Sequence, residues 1–264
     1  MNILVCFKTV PELERLTRED WVADSHLRVD TGFVTADLNP YDESALEMAL
    51  RLSDQSGESG TSCTLTALTI GDSSRDPWLK KLYALKFDRA VRLECDADLR
   101  FSPEVTARLL AGYIQENRFD VILLGCQGGV GDNGMTPFLL AEYLAWPLIS
   151  HAVEIRPASG NTLWVKSDAD DEFLVQEAGT PLVISIGDSP NSYMRIPTLK
   201  DKLEYGRRSI EVLQQKAPET GNGNFCGTLV DLERLDYTRK GHILKGASPR
   251  DTAAQLYRII KENQ

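Results

Sequence analysis

Apolar positions along the first 150 residues alternate between short unbroken runs and runs of helical spacing. Ile3 to Phe7 is apolar and short enough for a buried strand. Tyr41 to Leu52 places Ala45, Ala49 and Leu52 at helical spacing, with Leu46 and Leu50 on the adjoining row. Cys63 to Gly71 reads as a strand ending on glycine, and Leu79, Leu82 and Leu85 mark the next helix. A strand around Ala90 to Leu93 follows. Ser102-Pro103-Glu104 then opens a helix with a hydroxyl cap, a proline whose missing N–H costs nothing, and an acid at the positive dipole end. Val105, Leu109 and Tyr113 carry that helix inward, and Asp120 to Gly125 is the most apolar strand of the chain.

Unbroken apolar strands alternating with helices predict an α/β fold: a mostly parallel sheet with helices on both faces. The pattern changes after Pro147. "LISHAVEI", "TLWVKS", "EFLVQ" and "PLVISIG" are strand-like, have no helices between them, and are expected to add antiparallel strands or a hairpin. Beyond Ser209 the chain reads as a tail. Lys216 to Gly227 has linker composition, and a final helix starts at Ser248-Pro249 with Ala253, Leu256 and Ile260 on one face. The expected organisation is an α/β domain over 1–209 and a linker with a C-terminal arm over 210–264.

A formal charge of −10 repels phosphate backbones, which argues against nucleic acid, while a single phosphate needs only a local nest of backbone N–H groups. Cys6, Cys63, Cys95, Cys126 and Cys226 form no C-x-x-C pair, as expected in a reducing compartment. The opening residues lack the apolar stretch of a signal peptide, and no run suits a membrane span. A cytoplasmic protein without membrane insertion is expected. His26, His151 and His242 show no metal spacing, and no catalytic nucleophile signature appears. The acids at Asp168, Asp170, Asp171 and Glu172 read as a solvated hairpin turn, and Lys200, Lys202, Arg207 and Arg208 as a solvated basic cluster.

The chemistry concentrates in "LLGCQGGVGDNGMTPFLLAEYL", residues 123 to 144. A buried strand ends at Gly125, a glycine-rich loop follows, and a helix is expected with Thr136 as its N-cap and Pro137 at its first position. Glycines that let backbone approach a ligand, followed by a helix N-terminus, suit a phosphate site at the carboxyl end of a central strand. Gly129 to Gly134 also matches G-x-G-x-x-G, the dinucleotide fingerprint. The match starts four residues after Gly125, follows the fourth strand and puts the ribose-binding acid near Glu154, so it is weak.

Four segments, in order, resemble the β subunit of electron-transfer flavoproteins: "ILVCFKTVP", "LNPYDESALEMALRL", "DVILLGCQ…AEYLAWP" and "RIPTLKDKL". The resemblance implies a Rossmann-like, nucleotide-binding α/β domain over 1–209 and an electron carrier, not an enzyme by itself. It would bind AMP, or a second FAD in electron-bifurcating members, and wall the FAD held mainly by the larger α subunit of a heterodimer. Electrons would come from a flavin dehydrogenase and go to a quinone- or ferredoxin-type acceptor. Backbone at Cys6 and Ile70 would then pack around adenosine, and Asn39, Pro40, Tyr41 and Asp42 would close over it. Gly125, Gln127, Gly128, Gly129, Val130, Gly131, Asp132, Asn133, Gly134 and Thr136 would hold the phosphate. Arg195 and Leu199 would lie on a partner-docking segment. Val130 departs from the family's acid, Gly134 and Met135 from its common amides, and Pro137 from its glycine, which shifts phosphate binding towards backbone N–H groups. Gly131-Asp132 and Ala141-Glu142 are closer to the bifurcating members. Two other classes remain open: an NAD(P)-dependent oxidoreductase domain, resting on the glycine match, and an adenine-nucleotide-binding regulatory protein of similar fold.

Overall fold

The computed structural model describes residues 1–58, 62–129, 131–190, 193–216, 229–233, 241 and 243–262. The chain divides into two units, Met1–Val230 and Asp231–Gln264.

In the first unit, the opening apolar run is strand β1 (Asn2–Cys6), buried on both faces. Ile3 and Val5 face one core and Leu4 and Cys6 the other, as period-two alternation in an interior parallel strand requires. Two short strands, β2 (Thr9–Pro11) and β3 (Ala36–Leu38), pair antiparallel and return the chain to β1's end. Helix α1 (Pro40–Glu58) follows, then β4 (Thr64–Ile70), α2 (Asp76–Ala84), β5 (Arg89–Glu94), α3 (Pro103–Glu116), β6 (Val121–Gly125) and α4 (Thr136–Leu144). The α1 and α2 residues Leu46, Leu52, Leu79 and Leu82 bury against one face of the sheet. On the other face sit Leu110, Tyr113 and Ile114 of α3 and Leu140 of α4. Each such fully buried aliphatic side chain contributes about 1.5–3 kcal/mol.

The expected hairpin is present: β7 (Leu148–Pro157), β8 (Thr162–Ala169) and β9 (Glu172–Gly179) run antiparallel, with the acidic turn between β8 and β9. Strand β10 (Leu182–Ile186) corrects the expectation for "PLVISIG". It inserts between β6 and β7 and is parallel to both, with every residue buried. The all-apolar run suits an interior parallel strand and was the cue against an added antiparallel one.

The remaining elements are α5 (Leu199–Tyr205), β11 (Glu211–Gln214) and, in the second unit, α6 (Pro249–Glu262). β11 departs from the tail-like reading beyond Ser209: it pairs parallel with β5, forming an edge of a nine-stranded sheet ordered β11-β5-β4-β1-β6-β10-β7-β8-β9. Its alternating half-exposed residues give a weak apolar signal. α6 begins as expected, with Ser248 Oγ accepting from the Asp251 N–H at 3.3 Å and donating to its carboxylate at 2.8 Å. Ala253, Leu256 and Ile260 are exposed on it. Cys226, His242 and residues 217–227 of the expected linker lie outside the described residues.

Candidate functional site

The chain proceeds from β1 to β4 and β5 on one side, then crosses to β6 on β1's other side. The order of strands reverses between β1 and β6, and the crevice beyond their carboxyl ends is where open α/β sheets bind ligands. Three segments meet there: residues 6–8, the start of α1 at 39–42, and the loop after Gly125.

The first two turns of α1 hold these segments together. Asn39 is 1% exposed; its N–H donates to the Lys8 carbonyl at 3.0 Å and its side-chain Nδ2 to the Gln127 carbonyl at 2.8 Å. The Asp42 carboxylate, 6% exposed, accepts from the Gly125 N–H at 2.8 Å and the Lys8 N–H at 2.9 Å. Glycine at 125 is dictated by this approach: a Cβ there would lie 2.5 Å from Asp42 Oδ1 and 2.7 Å from Tyr41 Cβ. Lys8 folds over Gly128, whose added Cβ would sit 2.2 Å from the Lys8 Cε. Gly131 has φ +82° and abuts the Arg100 carbonyl, whose oxygen would lie 2.1 Å from a Cβ at this position.

Burial dominates the electrostatics. It pushes the Asp42 carboxyl up to about 6, against the opposing N–H bonds from Lys8, Gly125 and Asn39 and the charge of Lys8. Burial likewise lowers Lys8, opposed by Asp42 and Asp132. The Cys6 thiol is raised by burial and then by Asp42, and the Cys126 thiol is pushed up to about 11 by burial and then by Asp188. The Tyr41 phenol is raised by burial, with Asp188 adding to it. Neither thiol is a ready nucleophile.

The structure therefore brings Cys6, Asn39, Tyr41, Asp42, Gly125, Gln127 and Gly128 to one crevice. Pro40 is exposed on its rim, and Ile70 ends β4 beside β1. Gly129, Asp132 and Asn133 are exposed, and Gly131, Gly134 and Thr136 are half-buried. Val130 lies outside the described residues. Thr136 is not the cap of α4: it is the first helical residue, with Met135 in the cap position. The Asn133 side chain instead accepts from the Met135 N–H at 2.9 Å. Asn, like Thr, bonds to backbone two residues on, and Pro137 is the second helical residue where the first was expected.

These residues fit a nucleotide in their donors and acceptors. Asn39 Oδ1 is buried without a hydrogen-bond partner among the described residues. The backbone N–H groups of Gln127, Gly128, Gly129, Asp132 and Gly134 make no hydrogen bond among the described residues. A cleft of about 430 Å³, lined by His26, Leu27, Asp98, Arg100 and Phe101, adjoins the loop through the Arg100–Gly131 contact. The acid implied by the dinucleotide fingerprint, Glu154, sits in β7 and pairs with Arg156. No metal-binding cluster occurs among the described residues, and no helix among them is long and apolar enough to cross a membrane.

The 195–199 segment is tied to the same helix. Glu43 accepts from the Met194 N–H at 3.1 Å, and the buried Glu47 accepts from the Arg195 N–H at 3.0 Å and from its guanidinium. Arg195 also reaches Asp54 at 2.7 Å. Leu199, at the start of α5, is 74% exposed, beside exposed Tyr193, Ile196 and Leu203. Glu43 and Glu47 were missed by the sequence reading. The signal for Glu47 was an acid set inside an apolar helical run, "SALEMAL", four residues from Arg51.

Residues 27–218 match the model of the electron transfer flavoprotein domain. The chain is 30% identical over 261 residues to YgcR of Escherichia coli (strain K12), provisionally named an electron transfer flavoprotein subunit, covering 97% of this chain and 96% of that protein. It is 24% identical to the electron transfer flavoprotein subunit beta of Bacillus subtilis (strain 168), over 93% of this chain and 96% of the relative. It is also 27% identical to the acryloyl-CoA reductase electron transfer subunit gamma of Anaerotignum propionicum, over 82% of this chain and 79% of the relative. The chain belongs to the electron transfer flavoprotein beta-subunit family.

Proposed function

We propose that this small subunit holds an adenine nucleotide, AMP or a second FAD, in the β1–β6 crevice. It assembles with a larger α subunit whose FAD it helps to enclose. The heterodimer works in the cytoplasm, carries electrons from a flavin dehydrogenase to a quinone- or ferredoxin-type acceptor, and transforms no substrate of its own. The observation that carries the reading is the buried Asn39 Oδ1, unpartnered among the described residues, beside loop N–H groups that make no hydrogen bond among them, at the switch point of a chain in this family. Asn39 and the backbone at Cys6 and Ile70 would hold the adenosine, with Pro40 and Tyr41 over it. Gly125 through Thr136 would hold the phosphate through backbone N–H groups. FAD, when bound, supplies the redox chemistry. Arg195 keeps the segment before α5 against α1, so that Leu199 and its exposed neighbours meet the dehydrogenase. The region beyond β11 is the linker and arm, with the Ala253, Leu256 and Ile260 face of α6 laid on the larger subunit.

Co-expression with the larger subunit and a visible spectrum test this. A yellow heterodimer is expected. A colourless monomer that reduces a nicotinamide, or a colourless nucleotide-binding homodimer, would favour the oxidoreductase or the regulatory alternative.

A further inference from the structure

Asp42 does not have the geometry of a ligand contact. Both carboxylate oxygens are spent on backbone N–H groups of the chain itself, one at Gly125 and one at Lys8. Gly125 ends β6 and Lys8 lies two residues beyond the end of β1, the two strands that flank the crevice. The side chain is 6% exposed, and a Cβ at Gly125 would collide with it. A single carboxylate thus bridges the carboxyl ends of β1 and β6 from the first turn of α1. Gln127 and Gly128, two and three residues beyond the latched N–H, begin the loop with N–H groups that make no hydrogen bond among the described residues.

We propose that Asp42 is a positioning residue, an ionised latch that sets the separation of the β1 and β6 ends and thereby aims the loop N–H groups at a nucleotide phosphate. The functional half of this rests on the nucleotide reading above; the latch itself does not. Charge-assisted hydrogen bonds are the strong ones, and a carboxylate accepts strongly at both oxygens. Protonation turns one oxygen into a hydroxyl, a weaker acceptor, and loosens its hold on one of the two N–H groups. The ionisable groups around Asp42 are Lys8 and Cys6 from the β1 end, Cys126 and Asp132 from the β6 loop, and Tyr41, which Asp188 faces. Burial raises the Asp42 carboxyl to about 6, so the latch is closed at neutral pH and opens in mild acid. The sign matters. A raised carboxyl means that the folded chain binds this proton more tightly than the unfolded chain. Acid then opens the latch without Asp42 itself favouring unfolding.

The test uses the heterodimer, stripped of nucleotide, with AMP as the probe, and compares the native chain with Asp42→Asn. The amide keeps the shape, but its NH₂ faces one of the two N–H donors. At pH 7.5 the variant is expected to bind AMP about tenfold or more weakly. The ratio of the two constants, from which the titration of AMP itself cancels, is expected to shrink towards one by pH 5. Equal affinities at pH 7.5, or a ratio unchanged down to pH 5, overturn the proposal. If the native heterodimer binds neither AMP nor a second FAD, the nucleotide reading has failed, and the latch is read by amide hydrogen exchange in peptides covering 6–10 and 123–128. Faster exchange in Asp42→Asn supports it, and unchanged exchange overturns it. If Asp42→Asn does not fold, the native chain's exchange in the same peptides, corrected for intrinsic pH dependence, is compared at pH 7.5 and 5. Acid-induced acceleration supports the latch, and its absence overturns it.

Discussion

Replacing Glu47 by Gln is expected to destabilise the domain by about 2 kcal/mol, through the segment that precedes α5 as much as through α1. The Glu47 side chain is 4% exposed and accepts from the Arg195 backbone N–H at 3.0 Å, Arg195 Nη2 at 3.0 Å and Arg51 Nε at 2.9 Å. Breaking a fully buried ion pair costs about 3–5 kcal/mol. Here the Arg195 and Arg51 side chains are 39% and 45% exposed, so water takes over part of the solvation of the orphaned cations and the cost falls to about 2 kcal/mol. For a chain of this size that is roughly 4–8 °C in Tm. Thermal unfolding of the native chain, Glu47→Gln, Arg195→Ala and the double variant should give a coupling of about 1 kcal/mol. The effect carries a pH signature. Burial opposes ionisation of Glu47, but the Arg195 and Arg51 bonds outweigh it and hold the carboxyl below its usual range. A depressed carboxyl contributes stability above its unfolded value, near 4.3 by roughly the usual reference, and loses it as pH falls through the folded value. The deficit of Glu47→Gln should therefore be full at neutral pH and shrink in acid. Additive single variants with Tm shifts below about 1 °C would refute the clamp.

Leu199→Ala should leave stability within about 0.5 kcal/mol, because the side chain is 74% exposed, while weakening productive encounter with the donor dehydrogenase by about thirtyfold, as loss of an apolar anchor worth about 2 kcal/mol implies. Steady-state reduction kinetics at normal flavin content check this, and an unchanged KM for the carrier counts against it. Gly131→Ala should cost about 1–3 kcal/mol and release nucleotide, because its Cβ would meet the Arg100 carbonyl at 2.1 Å in a left-handed backbone; a melting curve and the nucleotide content read both effects. Removing residues 228–264 should leave the α/β domain folded but weaken its association with the larger subunit and let FAD dissociate on dilution. Melting of the truncated domain, or an intact flavin-bearing heterodimer, would show the arm to be misread.

How much of this was legible depends on range. The parallel core was written in Ile3–Phe7, Asp120–Gly125 and the helices between, because each strand is apolar throughout and each helix has its own period. The place of Leu182–Ile186 was not. Insertion between β6 and β7 is a choice among equally apolar neighbours, and the antiparallel strands around it in sequence pointed the wrong way. Glu211–Gln214 escaped because an edge strand with one half-exposed face hardly differs from a polar tail. At the site, the loop glycines were visible but their reasons were not. Gly125 answers to Asp42 and Tyr41 on a helix 83 positions earlier, and Gly131 to a carbonyl at Arg100. Asp42 was read as a helix-start acid lying over a ligand, since nothing local reveals that both of its oxygens are taken by backbone from two other segments.

The central claim is that this subunit holds its own adenine nucleotide while sharing the flavin of a larger one. Denaturing the purified heterodimer, separating the released cofactors by chromatography and counting them per complex tests it most directly. The account predicts flavin together with a separate adenine nucleotide, or a second FAD, in stoichiometric amount, and loss of that second molecule alone in Gly131→Ala. A fully flavinated, active heterodimer that releases no second nucleotide would contradict it.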